Sequence, residues 1–168
     1  NEDNNTASPV SSPTVSNVTV IGEPGIAEDN FGLLFRRGSS PNMSNVAVDG
    51  FSSGCLGIRD QATFDAFAGG SASLTRTLLA CDNPFENSDD ETENGTEEQV
   101  FQAGEGNDIV PSLGLTDVGA HDYRPAAGSP LLGAGQAPSG AFFEAADYVG
   151  AFNGTADWTA GWTTHAQN

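Results

Sequence analysis

The 168-residue chain is predicted to be all-β: a right-handed parallel β-helix with a long acidic loop and an irregular, aromatic C-terminal cap. Three features carry that prediction. A segment recurs at a fixed offset, each copy has strand periodicity, and the segments between Gly, Ser, Asn and Pro turns are too short and too β-branched for helices. The recurring segment runs from Ser12 to Gly22 (SPTVSNVTVIG). It returns 28 residues later as Ser40 to Gly50 (SPNMSNVAVDG), with seven of eleven positions identical. A degenerate third copy runs from Ser71 to Cys81. Near-identical repeats of this kind are what stacked coils require and what a sandwich does not.

Taken in order, residues 1–11 are rich in Asn, Thr, Ser and Pro and read as a linker or exposed loop. Residues 12–135 read as the coils. In the first strand of each repeat, Val18 and Val20, Val46 and Val48, and Thr77 and Leu79 point one way, with polar or small residues between them. Stacking coils in parallel makes Val18, Val46 and Thr77 one ladder, Val20, Val48 and Leu79 a second, and Leu33 and Leu56, from the second strands Phe31–Arg36 and Gly54–Arg59, a third. After Cys81 the repeat dissolves. Residues 82–108 hold ten of the 23 acidic residues and no basic one, and read as an insertion loop projecting from the stack. Residues 136–168 hold six of the 14 aromatics and read as the cap that an open stack end needs.

The formal net charge is −18, all five basic residues are Arg, and lysine is absent. Nucleic acid is excluded as a partner class, because phosphate contacts need clustered Lys and Arg. No apolar run approaches the length of a transmembrane segment. The chain begins at Asn1 with neither Met nor a signal peptide, as a processed chain or fragment does. Cys55 and Cys81 match no zinc spacing. Their separation is close to one coil, so they are a disulfide candidate, with two buried thiols as the alternative.

The stretch Tyr123-Arg124-Pro125-Ala126-Ala127-Gly128-Ser129-Pro130-Leu131-Leu132-Gly133-Ala134-Gly135 resembles the terminal coil motif of secreted bacterial right-handed β-helix proteins. Residues 147–152 (DYVGAF) and 158–162 (WTAGW) are similar to the ends of a group of β-helix proteins of the Gram-negative cell envelope. The resemblance covers most of the chain from about Ser12. It implies a secreted, extracellular or outer-membrane-surface location in a Gram-negative bacterium. It also implies coils N-terminal to Asn1, because such repeats occupy the C-terminal half of longer polypeptides in that group. It brings no catalytic residues with it.

Few residues point to chemistry. Asp89, Asp90 and Asn94, ahead of Gly95, imitate the start of a calcium loop, but the twelfth position is Phe101 instead of Glu, which favours a solvated loop. Residues 103–110, with Asp108, resemble a single calcium-binding nonapeptide, but such sites are built between tandem copies. Calcium is therefore the one cofactor suggested. Arg36 and Arg59 are equivalent by repeat. They read either as a clamp for a substrate carboxylate or as partners of Glu28 and Asp60. Adjacent His121 and Asp122 point to opposite faces of a strand and do not form a dyad.

These readings favour a non-catalytic extracellular or cell-surface module with a structural, assembly or glycan/partner-binding role. The alternative is a polysaccharide lyase or glycoside hydrolase completed by missing N-terminal coils. The first coil leaves an apolar end open at residues 12–22. Another polypeptide, either the protein's own N-terminal half or a neighbouring subunit, is expected to cover it.

Overall fold

The computed structural model describes residues 4–23, 30–86, 96–140 and 142–164. The β-branched repeat segments form strands β1 (Thr14–Ile21), β3 (Asn42–Asp49) and β5 (Ser73–Leu79). The Gly-flanked segments between them form β2 (Phe31–Phe35) and β4 (Gly54–Ile58). All pair in parallel. One sheet runs β1-β3-β5-β6, where β6 is Asp108–Ile109, and the other is β2-β4. The sheets remain open; neither closes on itself.

The register reproduces the repeat. Val18 pairs with Val46 and Val46 with Thr77; Val20 pairs with Val48 and Val48 with Leu79; Leu33 pairs with Leu56. Leu79 continues to Ile109, and Leu56 bridges on to Phe85. Inward residues of successive rungs therefore stack as columns, and Val46, Val48, Leu56, Ile58 and Leu79 are wholly buried.

Simple alternation does not explain why Met43 and Val46, three residues apart, both join this core. The residue between them that restores the phase is Asn45, at φ 55. Asn17 (φ 59) and Arg76 (φ 49) occupy the same column on the neighbouring rungs. A left-handed residue turns the strand and swaps its faces, and Asn tolerates that region better than most residues. The Asn45 side chain is fully buried, and its Nδ2 donates to Asn17 Oδ1 (3.1 Å) and to the Gln136 carbonyl (2.9 Å). At the far end of the strands the chain must turn beside its neighbour. A Cβ on Gly22 would lie 2.2 Å from the Gly50 carbonyl oxygen, so only glycine allows the rungs to approach there.

Two helices interrupt the expected all-strand pattern. Helix α1 (Gln61–Ala68) joins β4 to β5 and buries Phe64 and Ala66. Helix α2 (Glu97–Ala103) lies inside the segment expected to project as a loop. Thr96 caps it, Thr96 Oγ1 accepting from Gln99 N (3.2 Å), and Phe101 packs edge-on against Phe85 with ring centroids 5.6 Å apart. Both ends of the acidic segment thus belong to the stack, since Phe85 extends the β4 column and Asp108–Ile109 extends β5. The physical reason is that Phe85, Val100 and Phe101 supply apolar surface to a segment that its charge made look wholly solvated.

The C-terminal segment also departs from expectation. After the antiparallel hairpin β7 (Leu115–Asp117) and β8 (Asp122–Pro125), the chain lies along the outer face of the first sheet instead of closing an end. Leu113, Leu131 and Val149 bury there against Ala47 and Leu78 in a second core. Gly150 N donates to the Asn45 carbonyl (2.9 Å), Ala151 N to Thr19 Oγ1 (2.9 Å), and Asn17 Nδ2 to the Tyr148 and Gly150 carbonyls (3.0 Å each). In the outward column Thr19–Ala47–Leu78, Ala47 and Leu78 gain by having their apolar surface covered, while the Thr19 hydroxyl anchors the tail. Helix α2 packs on the stack through Phe101 against Phe85, and Ile109, the last residue of the Leu79 column, stays 48 % exposed.

Leu56→Ala removes the middle member of the Leu33–Leu56–Phe85 column and should cost about 2–5 kcal/mol in denaturant unfolding. Val118→Ala, at a position 39 % exposed, should stay within about 0.5 kcal/mol. Equal losses at the two positions would contradict the column as the stabilising core.

Candidate functional site

Arg36 and Arg59 follow directly on the Phe35–Ile58 pair and so occupy matching places on adjacent rungs. They differ in what they touch. Arg36 is exposed. Arg59 reaches to the next rung, where Nη2 lies 2.7 Å from Glu86 Oε1 and Nε donates to both carboxylate oxygens (3.1 and 3.2 Å). Its guanidinium also sits 5.3 Å from the Phe31 ring centroid. Gly57 makes room for the carboxylate, since a Cβ there would come within 2.6 Å of Glu86 Oε2. Rung stacking therefore assembles Phe31, Arg59 and Glu86 as a cation held between a ring and a carboxylate. Asp60 accepts instead from the Arg37 backbone N–H, and Glu28 lies outside the described residues. Glu86 was the partner that the sequence reading missed. Its signal was its position 27 residues after Arg59, close to one rung.

The calcium candidates separate. Asp89, Asp90 and Asn94 lie outside the described residues. Asp108 opens β6, and its Oδ1 accepts from Ile109 N (2.9 Å). The neighbouring Asn107 is a backbone surrogate: its Nδ2 donates to the Leu74 and Phe101 carbonyls, and its Oδ1 accepts from Thr77 N (2.8 Å). Among the described residues no group of three or more His, Cys, Asp or Glu side chains is placed to hold a metal ion. Cys55 and Cys81 are joined as a disulfide, with Cα atoms 5.6 Å apart and a sequence separation of 26. His121 contacts Tyr123 Oη through Nδ1 (2.9 Å), whereas Asp122 pairs with Arg124 (Oδ2–Nη2 2.6 Å), so the adjacent pair is divided.

Charge is balanced locally in the same manner elsewhere. Arg76 Nη2 lies 2.7 Å from Glu105 Oε1 and also donates to Gln136 Oε1 (2.6 Å) at a polar groove of about 470 Å³. The groove runs across three rungs past Thr14, Asn42 and Ser73. Hydrogen bonding from Arg124 holds the Asp122 carboxyl below its ordinary 3.8, and the same contact raises Arg124. The Thr159 hydroxyl does the same for Asp157, with Arg124 adding to it. Burial pushes Asp49 up, against a hydrogen bond from the Gly50 backbone.

The first rung is less protected than the second. Val18 and Val20 are half-buried, whereas Val46 and Val48 are inaccessible. β1 is the terminal strand of its sheet, so one backbone edge has no strand partner among the described residues.

Reduction of the Cys55–Cys81 bridge, which closes a 26-residue separation, should lower stability by about 3 kcal/mol in a chemical melt. Because Asp122 and Asp157 have lowered carboxyl pKa values, their contribution is present above 3.8 and disappears as pH falls through the lowered values. Emission from Trp158 and Trp162, beside these acids, should therefore stay flat on acidification until the pH is below 3.8. A transition already complete near about pH 6 would contradict the assignment.

The model of the family described as pectate-lyase like beta helix domain matches residues 1–163. No curated protein and no solved structure matches the chain. Parallel rungs in register, columns of Val and Leu within them, and a family match over nearly the whole length agree: the chain belongs to the pectate-lyase-like β-helix domain family.

Proposed function

We propose that this chain is a non-catalytic, extracellular module of a right-handed β-helix, and that it works by end-on assembly. Another polypeptide segment presents a further parallel rung to β1. The observation that carries this reading is the step in burial between neighbouring rungs: Val46 and Val48 are fully covered, but their column mates Val18 and Val20 are not. An in-register strand edge backed by an apolar face is the standard template for strand addition. The occupant is the protein's own N-terminal half or a neighbouring subunit. The disulfide supports an oxidising location, as does the family.

The lyase or hydrolase alternative asks for a basic or carboxylate group directed at substrate. Arg59 is directed at Glu86 and Phe31, which favours the structural role. Turnover of an acidic polysaccharide that is lost on Arg36→Ala or Arg59→Ala would overturn the non-catalytic reading.

Sedimentation over a range of concentrations tests the assembly. The chain should self-associate through its open edge, and Val18→Lys should suppress the association by at least about tenfold, since a charge on an edge strand opposes pairing. A wild-type chain that stays monodisperse and monomeric at every concentration would sink the proposal.

A further inference from the structure

The C-terminal tail carries a second surface that the stacking of rungs does not use. Phe152, 7 % exposed, anchors a short staircase of rings. Trp158 stacks on it, with centroids 5.6 Å apart and planes at 23°, and Trp162 follows Trp158 at 5.7 Å and 31°. Exposure rises along the staircase to 52 % at Trp158 and 68 % at Trp162. Large rings are seldom left this open without a partner.

The indole N–H groups do not explain the exposure, because both are already bonded to backbone. Trp158 Nε1 donates to the Ala151 carbonyl (2.8 Å) and Trp162 Nε1 to the Trp158 carbonyl. These bonds fix each ring in one orientation and leave its flat apolar surface to the solvent. The rim is polar. Asp157 Oδ1 accepts from Thr159 N (3.0 Å), Thr163 Oγ1 donates to the Thr159 carbonyl (3.1 Å), and the Asp122–Arg124 pair lies close enough to influence Asp157.

We propose that this staircase is a binding platform for a neutral glycan, whose sugar C–H face lies on the outer surface of Trp162 while its hydroxyls meet the Asp157, Thr159 and Arg124 rim. A pre-oriented ring face loses little entropy on stacking against a sugar, and a pyranose combines an apolar face with hydroxyls around its edge. The net charge of −18, with two acids beside the rings, opposes a uronate or sulfated chain. A surface without lysine is equally unsuited to an anionic lipid headgroup. The platform is independent of the β1 edge, so it goes beyond the assembly role.

The two tryptophans of the platform are the only ones in the chain, so its tryptophan emission reports on this site alone. Titration with neutral hexaoses (β-linked gluco-, manno- and xylo-oligosaccharides) should shift or quench the emission saturably for at least one. Trp162→Ala should weaken that binding by at least about tenfold while leaving the melting curve unchanged, and Trp162→Phe should restore part of it. Val18→Lys, which blocks assembly, should leave the titration unaltered. The proposal is overturned if no neutral hexaose changes the emission, if oligogalacturonate binds as well, or if Trp162→Ala binds like the wild type. It is also overturned if the emission depends on protein concentration alone, which would place a second copy on the rings.

Discussion

Parallel register between rungs is the constraint on which the rest of this structure depends. The backbone hydrogen bonds of one rung are completed only by the next, so Val46 must lie on Val18 and Thr77 on Val46. A shift of one residue would turn every inward side chain outward. The column of left-handed residues, Asn17, Asn45 and Arg76, shares this requirement. Each rung bends at the same place because only then do Met43 and Val46 both reach the core. The Asn45 amide ties that bend to the rung before it and to the tail at Gln136.

Register also explains the second core. Bending at Asn45 presents Thr19, Ala47 and Leu78 as a smooth outer column, and the returning tail meets it through Leu131, Val149 and the close approach of Gly150. A side chain at Gly150, where φ is 89, would come within 2.6 Å of Thr19 Oγ1. At β3 and β5 the middle of the first sheet is therefore buried on both faces, as parallel sheets usually are. This position of the tail also leaves Trp158 and Trp162 facing outward instead of filling the core.

The extreme net charge is not spread over the fold. Arg59, Arg76 and Arg124 each pair with an acid, two of them on the next rung (Glu86 and Glu105) and one two residues away. These pairs are partly exposed, so they position segments more than they stabilise them. Of the other acids, six lie within residues 89–98.

The columns were legible in the sequence because they are written twice, in repeats whose offset equals the length of a rung. Val18, Val46 and Thr77, and Leu33 and Leu56, could be paired by counting. Partnerships that cross between unlike segments carried no such mark. Glu86 beneath Arg59, α2 against Phe85, and the tail beside Ala47 depend on where non-repeating chain comes to rest. Helix α2 had a readable start in Thr96 and Gln99, but the surrounding acidic residues masked its single buried ring, Phe101. By itself, then, the sequence determined which residues stack and the parallel strand architecture, because inward patterning and repeat length are local properties. The tertiary structure alone decided which face the tail covers, which acid holds Arg59 and which aromatics remain in water, because these depend on the apolar area left uncovered once the rungs have stacked.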